Sequence, residues 1–158
     1  MTREEVEQIF NRYGPMVLRR ARSLLGDEEG KDVMQEVFIK AMAEPSRFDD
    51  PEQAASWLYR VTTNACLNQI RDTRRRAELR RQHLKDDEVS TTVSEEHLAA
   101  RELLAEADES QSRAAVLVHV DGLSYDEASQ VLGVSKRTVS NLLTRFRTFA
   151  LERLSEGK

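Results

Sequence analysis

Hydrophobic residues recur at three- and four-residue steps along most of the chain, which is the period of an amphipathic α-helix. The first such stretch follows Thr2 and ends at Gly26, and Thr2 with Glu5 forms a capping box at its start. Pro15 lies inside this stretch and is expected to kink or split the helix, because proline lacks the amide donor. The apolar positions are Val6, Ile9, Phe10, Tyr13, Val17, Ala21, Leu24 and Leu25.

Two further helices are predicted in the first half of the chain. One spans about 28–43 and presents a single apolar face, comprising Val33, Val37, Phe38, Ala41 and Met42. After a loop over 44–50, Asp50 and Pro51 open the next helix as N-cap and first helical residue. Its buried stripe is expected to comprise Ala54, Trp57, Leu58, Val61 and Ala65.

Helical period fades over residues 77–94, where charged residues, serine and threonine predominate. This composition predicts a flexible linker that is partly helical at its basic start. Helical period returns over 95–107 and 111–120, and no run alternates convincingly as a strand. The pattern therefore predicts an all-α protein with two small helical domains, residues 1–76 and 95–158.

The end of the chain predicts a helix-turn-helix. Ser124 and Glu127 form a capping box for a helix that ends near Gly133, and Ser135 caps a second helix over about 136–154. Gly133 suits the left-handed conformation of a tight turn, where a residue with a Cβ would be strained. A short helix, a three-residue turn with glycine and a second helix is the helix-turn-helix arrangement.

Charge is strongly segregated, although the net charge is only -4. Residues 27–54 carry nine acids against three bases, and residues 86–110 carry nine acids against Arg101. Between them, residues 71–85 carry seven bases against two acids, and residues 136–153 carry five bases against Glu152. Two basic stretches separated by acidic ones indicate two local contacts with phosphate rather than general wrapping of nucleic acid.

Several classes of protein are disfavoured by what the sequence lacks. Cys66 is the one cysteine, and His83, His97 and His119 lie too far apart for a helical metal-binding pair. There is no phosphate-binding glycine loop, and no apolar run approaches the roughly 18 residues that span a bilayer. We expect no metal, cofactor, catalysis or membrane insertion, and a cytoplasmic location.

Two helical faces have the chemistry of nucleic-acid contact. Opposite the Trp57 stripe lie Arg60, Thr63, Asn64, Arg71 and Arg74, a mixture of basic, amide and hydroxyl groups that suits single strands. Tyr59 and the loop 44–50 are candidates for holding an unstacked base. The last helix presents Arg137, Ser140, Asn141, Thr144 and Thr148, with Lys136 and Arg145 at the edges, which is typical of a major-groove reader.

These residues resemble one known family, the extracytoplasmic-function (ECF) group of bacterial RNA polymerase sigma factors. Three segments carry the resemblance in chain order: Asp32-Val33-Met34-Gln35-Glu36-Val37-Phe38, Ser56-Trp57-Leu58-Tyr59-Arg60-Val61 through Asn64, Asn68 and Arg71, and Gly122 to Val139. The resemblance implies a non-catalytic polymerase subunit with two domains, sigma region 2 over 1–76 and sigma region 4 over 95–158.

Site residues follow from the resemblance as expectations. Docking on the β′ clamp helices is implied for Asp32, Gln35 and Glu36. Recognition and melting of the minus-ten element is implied for Arg60, Thr63, Asn64, Asn68, Arg71 and Arg74. Reading of the minus-thirty-five element is implied for Lys136, Arg137, Ser140, Asn141, Thr144 and Arg145. The implied partners are core RNA polymerase, including its β′ and β subunits, promoter DNA and an anti-sigma factor.

The chain departs from the family pattern in two places. Glu109-Ser110-Gln111-Ser112 stands where members often carry Leu-Pro, and Ser140, Asn141 and Leu142 follow Val139 where members usually carry a lysine or arginine. Fewer bases there predict weaker phosphate contact. Two alternatives stay open: a free-standing helix-turn-helix regulator with 1–75 as a dimerisation or ligand domain, and an interaction protein that docks on polymerase without recognising promoters.

Overall fold

The computed structural model describes residues 2–83 and 95–156, and within them the protein is all-α, as predicted. Helix α1 spans Arg3–Leu25, α2 spans Asp27–Ala43, and a 3-10 turn, Pro45–Phe48, leads into α3, Pro51–His83. Helix α4 spans Glu95–Glu106, and α5 spans Glu109–Ala115 and continues as a π-helical turn, Val116–Val120. Helices α6, Tyr125–Leu132, and α7, Lys136–Glu156, complete the fold.

Local sequence signals explain where most helices begin. The Thr2 hydroxyl accepts a hydrogen bond from the Glu5 amide, and the Glu5 carboxylate accepts one from the Thr2 amide, which confirms the capping box. The Asp50 carboxylate accepts from the amide of Glu52 in the first turn of α3. Helix α1 runs through Pro15 without a break, so the proline does not split it.

Helix α3 extends into the basic start of the linker, where the sequence predicts partial helix. It continues through His83, so the first seven residues of the predicted linker are helical. The rest of that linker, residues 84–94, lies outside the described residues.

The larger hydrophobic core lies among α1, α2 and α3, and includes Val17, Val37, Leu58, Cys66 and Leu67. Trp57 is also part of this core and makes an edge-to-face contact with Phe48, with ring centroids 5.9 Å apart. Met42 is a correction to the predicted apolar face of α2, because it is 47% exposed. It follows the last buried residue of that helix, Ala41, and lies near the end of the helix, where neighbouring helices no longer cover it.

A smaller core forms among α5, α6 and α7, from Ala114, Leu117, Ala128, Val131, Val139 and Leu143. The two cores adjoin each other. Leu104 of α4, with Ala115 and Val116 at the end of α5, belongs to the larger core, and Tyr59 of α3 packs against the smaller one. The N-terminal and C-terminal halves of the chain are therefore packed together.

None of the helices in residues 2–83 and 95–156 combines the length and the apolar character that a bilayer crossing requires.

Leu58 supplies a direct test of the larger core. It is fully buried, so Leu58→Ala should lower the free energy of unfolding by about 2–5 kcal/mol through lost burial and the cavity left behind. Leu79→Ala is the matched control on the same helix, because Leu79 is half exposed, and it should change stability by less than about 0.5 kcal/mol. Urea denaturation of both variants checks this; equal losses would mean that Leu58 is not in a packed core.

Candidate nucleic-acid interface

The predicted polymerase-docking residues lie on an exposed face of α2. Asp32, Gln35 and Glu36 are all exposed and lie within about one helical turn, since they are three and four residues apart. Glu36 forms an ion pair with Lys40, with its Oε1 3.3 Å from Lys40 Nζ. The face therefore combines carboxylates, an amide and one cation in contact with solvent.

Sequence reasoning missed an apolar extension of this face. Ile39 lies seven residues after Asp32, on the same side of the helix, and is 63% exposed. Met42 lies three residues further on and is also exposed. The position of Ile39 in the helical period could have indicated its exposure. Ile39 lies between Val37 and Ala41 in the sequence, but it is not on the buried side of the helix to which those two residues belong. We call Asp32, Gln35, Glu36, Ile39 and Met42 the α2 docking face.

The six predicted minus-ten residues occupy different environments along α3. Arg60 and Asn68 are exposed to solvent. Asn64, Arg71 and Arg74 are partly buried, and Thr63 is only 1% exposed. The sequence pattern placed all of these except Asn68 on the face opposite the core, and that face is largely covered by the C-terminal half. We call Arg60, Thr63, Asn64, Asn68, Arg71 and Arg74 the α3 strand face.

The deepest contact on the α3 strand face is made by Arg20 of α1. Arg20 Nη2 donates to the Thr63 hydroxyl at 2.7 Å and to Asp121 Oδ2 at 2.5 Å. Arg20 Nη1 donates to the carbonyl oxygen of Tyr59 at 3.2 Å. The side chains of Arg20 and Asp121 are 5% and 3% exposed, so the ion pair is buried.

The Tyr59 side chain, a predicted candidate for base stacking, is covered by other residues in this structure. Its ring lies under the Arg20 guanidinium, 4.2 Å from the centroid to Cζ, and packs against the C-terminal core. Phe48, the aromatic residue of the loop 44–50, likewise contacts the rings of Tyr13 and Trp57. Neither ring is free to stack on a base in this arrangement.

Four further polar contacts lie along the α3 strand face. Arg113 Nε donates to the amide oxygen of Asn64 at 2.8 Å. Arg74 Nη2 donates to Glu106 at 2.6 Å, and its Nε lies 3.5 Å from Glu102. Arg71 Nη1 lies 3.7 Å from Glu109. Acidic side chains of α4 and α5 therefore occupy positions beside the arginines where strand phosphates were expected.

The helix-turn-helix has the predicted local geometry. The capping box of Ser124 and Glu127 is present, and its hydrogen bonds from Ser124 lower the pKa of the Glu127 carboxyl. Gly133 adopts the left-handed conformation, with φ 69° and ψ 32°. The Ser135 hydroxyl accepts from the Thr138 amide at 3.1 Å and caps α7.

The predicted base-reading residues of α7 are mostly exposed. Arg137, Asn141, Thr144 and Arg145 are exposed, Ser140 is half-buried, and Lys136 is exposed and pairs with Asp126 at 3.5 Å. Thr144 and Arg145 also line an open cleft of about 360 Å³ against the α4–α5 junction. That wall carries Glu106 and Asp108, which would repel a phosphate, so the first two turns of α7 are the better anion-binding part.

Cys66 has no chemistry to offer at these surfaces. It is fully buried in the larger core, and burial raises the pKa of its thiol to about 12, so the thiolate is scarce near neutral pH.

Two known families match separate segments of the chain. Residues 9–76 match the family described as Sigma-70 region 2, and residues 108–155 match a family described as Homeodomain-like domain. The first match covers most of α1, all of α2 and α3 as far as Arg76, and the second covers the helix-turn-helix with α5.

Two sigma factors are similar to most of the chain. The chain is 26% identical to the ECF RNA polymerase sigma factor SigM of Mycobacterium tuberculosis over 142 residues, covering 89% of this chain and 72% of the relative. It is 27% identical to the RNA polymerase sigma factor NccH of Alcaligenes xylosoxydans xylosoxydans, covering 89% of this chain and 81% of the relative.

Two solved structures are similar to this chain over most of its length. CnrH in complex with the cytosolic domain of CnrY superposes with a TM-score of 0.62 at 25% identity, covering 97% of this chain and 89% of that one. The sigma factor RpoE in complex with the anti-sigma factor NepR from Bartonella quintana shares the fold, with a TM-score of 0.58 at 21% identity, covering 94% and 96%.

The turn of the helix-turn-helix yields a prediction with an internal control. Gly133→Ala should lower stability by about 1 kcal/mol, because a Cβ at φ 69° is strained although nothing lies within 4 Å of it. Gly14→Ala should instead raise stability by about 0.5–1 kcal/mol, because Gly14 lies inside α1 and its Cβ would make an ordinary contact with Phe10 at 3.8 Å. Chemical denaturation measures both; destabilisation by Gly14→Ala, or none by Gly133→Ala, would contradict the two backbone assignments.

Proposed function

Since the chain belongs to the extracytoplasmic-function group of the sigma-70 family and is an RNA polymerase sigma factor, we propose that it docks on core polymerase through α2 and reads two promoter elements through α3 and α7. The observation that carries this proposal is the order of the matched segments, a region 2 unit over 9–76 followed by a helix-turn-helix within 108–155. Residues 1–76 and 95–158 are then the two functional domains.

The α2 docking face is assigned to the β′ clamp helices of polymerase. Asp32 and Glu36 offer two carboxylates to basic side chains, and Gln35 offers an amide between them. Ile39 and Met42 add apolar area that leaves water on binding, which supplies affinity that exposed ion pairs alone do not. A mixed face of this kind, apolar at one end and charged at the other, is suited to a partner helix.

The two DNA-reading assignments differ in the form of DNA that they require. The α3 strand face combines arginines with Thr63, Asn64 and Asn68, which suits the separated strand of the minus-ten element. On α7, Lys136 and Arg137 are assigned to phosphates and Ser140 and Asn141 to base edges of the minus-thirty-five duplex. Thr144 and Arg145 complete that set at the side nearer the acidic cleft.

The partners of the proposal are core polymerase with its β′ and β subunits, promoter DNA and an anti-sigma factor. The last rests on RpoE, which was solved in complex with its anti-sigma factor NepR, and on CnrH, solved with the cytosolic domain of CnrY. The polymerase would supply all catalysis, and the factor would act in the cytoplasm, where the polymerase is.

The α2 assignment is tested by charge reversal. Asp32→Arg with Glu36→Arg should abolish co-elution of the purified chain with bacterial core polymerase, because it replaces both carboxylates of the docking face with cations. The control Glu4→Arg with Glu7→Arg makes the same change of charge on exposed residues of α1 and should bind normally. Unchanged binding by the α2 variant would remove the docking assignment.

Run-off transcription on a promoter library from the source genome tests the function as a whole. New start sites that depend on the chain are expected, and they define the two promoter elements. Duplex DNA bound without polymerase association would indicate the free-standing regulator instead.

The α7 assignment predicts two kinds of DNA contact, one with phosphate by Arg137 and one with a base edge by Asn141. Arg137→Ala should weaken binding to a minus-thirty-five duplex for all sequences and reduce the slope of log K against log salt by about 0.9, because one phosphate contact is lost. Asn141→Ala should instead relax the sequence preference by about 1–3 kcal/mol at one base pair. Fluorescence anisotropy measures both, with Arg3→Ala as the control for charge; a sequence-independent effect of Asn141→Ala would contradict base reading.

A further inference from the structure

We propose that a groove on the outer side of α1 and α2 binds an acidic amphipathic helix of a protein partner, and that it does so while the factor is seated on core polymerase. The groove has a volume of about 640 Å³. Binding of the helix to the free chain is independent of the proposed function, whereas simultaneous binding rests on the α2 docking assignment. We call the groove the α1 groove, and the residues that define it are Phe10, Gly14, Leu18, Arg19, Arg22 and Met34.

The floor of the α1 groove is apolar, although it is open to water. Phe10 is 46% exposed, and its ring contacts that of Phe38 with the centroids 5.2 Å apart. Leu18 of α1 and Met34 of α2 are partly exposed. Gly14 lies one helical turn after Phe10 and one turn before Leu18, so the absence of a side chain there leaves a depression between them. A partner that covers this floor removes apolar surface from water, which stabilises the complex.

The rim of the α1 groove is basic. Arg19 and Arg22 line it, and none of the side chains that line it is a carboxylate. Arg22 Nε lies 3.2 Å from Asp27 Oδ1, but the two side chains are 45% and 80% exposed. Such an exposed pair is weak, so Arg22 remains available to a second carboxylate. Lys31 of α2, three residues before Met34, is exposed as well.

This combination selects an acidic partner. The chain as a whole has a net charge of -4, so the basic rim is a local feature. The cleft beside α7 has the opposite character, because Glu106, Asp108 and Glu152 line it. Opposite charges across an interface raise the rate of association and exclude partners of the wrong sign.

The dimensions of the α1 groove fit one short helix. Phe10 and Arg22 are separated by about 18 Å along α1, since each helical residue adds about 1.5 Å. An amphipathic helix of about 12 residues has the same length and places its apolar side chains on one stripe. That stripe would cover Phe10, Leu18 and Met34, while carboxylates at one end would pair with Arg19 and Arg22.

The α1 groove and the α2 docking face lie on different sides of α2. Met34 is two residues from both Asp32 and Glu36, so its side chain points about 160° away from each of theirs around the helix axis. A helix in the groove therefore leaves the two carboxylates assigned to polymerase free. A partner of this kind would tether the polymerase-bound factor rather than compete with polymerase for it.

The test uses two synthetic helical peptides of about 14 residues labelled with fluorescein. The first has leucines on one face and glutamates elsewhere, and the second has lysine in place of every glutamate. We expect the wild-type chain to bind the acidic peptide at least about tenfold more tightly than the basic one, as measured by fluorescence anisotropy. Equal affinity for the two peptides would overturn the proposal.

Charge reversal of the rim locates the bound peptide. Arg19→Glu with Arg22→Glu should reverse the preference, so that the basic peptide binds more tightly than the acidic one. The control Arg80→Glu with Arg81→Glu makes the same change of charge on exposed residues of α3 and should keep the wild-type preference. A wild-type preference in the rim variant, or its loss in the control alone, would place the peptide elsewhere and overturn the proposal.

The apolar floor is tested at Phe10. Phe10→Ala should weaken binding of the acidic peptide on the order of tenfold, because an aromatic side chain at the centre of an interface contributes much of the affinity. Leu79→Ala is the matched control, since Leu79 is 49% exposed on α3, and it should leave the affinity unchanged. Phe10 also contacts Phe38, so circular dichroism checks the fold of the variant, and the rim variant tests the groove without disturbing that contact.

Simultaneous binding is tested on the complex of the chain with core polymerase. The acidic peptide should bind this complex within about twofold of its affinity for the free chain, and displacement of the peptide by polymerase would overturn this part of the proposal. Failure of the wild type to bind core polymerase would overturn the proposed function, whereas peptide affinity for the free chain reports on the groove alone.

Two other occupants of the groove would each overturn the assignment to an acidic protein helix. A second copy of the chain would be revealed by dimerisation in sedimentation equilibrium that Phe10→Ala abolishes. An anionic membrane would be revealed by cosedimentation with vesicles of phosphatidylglycerol and phosphatidylcholine that the same variant abolishes. We expect a monomer and no association with vesicles through Phe10.

Discussion

One buried ion pair organises the relation between the two halves of this protein. Arg20 of α1 pairs with Asp121, 101 residues further along the chain, and both side chains are almost completely excluded from water. A buried charge is tolerated only when it is compensated, so each of these residues requires the other in this arrangement. The position of α5 and its π-helical turn against α3 follows from that requirement, and the coverage of Thr63 and Tyr59 follows in turn.

The packing of the two halves against each other also bears on how the charge pattern of the chain is interpreted. Long acidic and basic runs are most simply understood as solvated surface, and within residues 27–54 that holds for Asp32 and Glu36, which face solvent. It does not hold for Arg74, Glu102 and Glu106, because these residues face each other across the two halves. Charge segregation in a sequence therefore has two outcomes, an open surface for a partner or an internal contact, and only the tertiary structure separates them.

The features that could be predicted from the sequence are those that depend on residues close together in the chain. The caps at Thr2, Asp50 and Ser124, and the left-handed turn at Gly133, each involve atoms within three or four residues and appear as expected. The buried stripe around Trp57 and Leu58 follows equally from helical period. The burial of Thr63 could not be predicted, because its cause, the side chain of Arg20, lies 43 residues away. The exposure of Ile39 was missed for a related reason. Helical periodicity shows that a residue lies outside the buried stripe, but it does not show which helix surfaces other helices leave exposed.

The two surfaces of the factor differ in accessibility, and this difference implies an order of events. The α2 docking face is exposed while most of the α3 strand face is covered. Under the proposed assignments, binding to polymerase would need no opening, whereas binding to a promoter strand would. A free factor in this form presents Arg60, Asn68 and the first turns of α7 to DNA, but withholds Asn64, Arg71 and Arg74. If polymerase held the two domains apart, strand binding would no longer have to supply the free energy of opening. Binding of polymerase would then raise the affinity for the strand, which is positive coupling between two ligands. Promoter strands would then be held firmly only by a factor already seated on the enzyme that can use them.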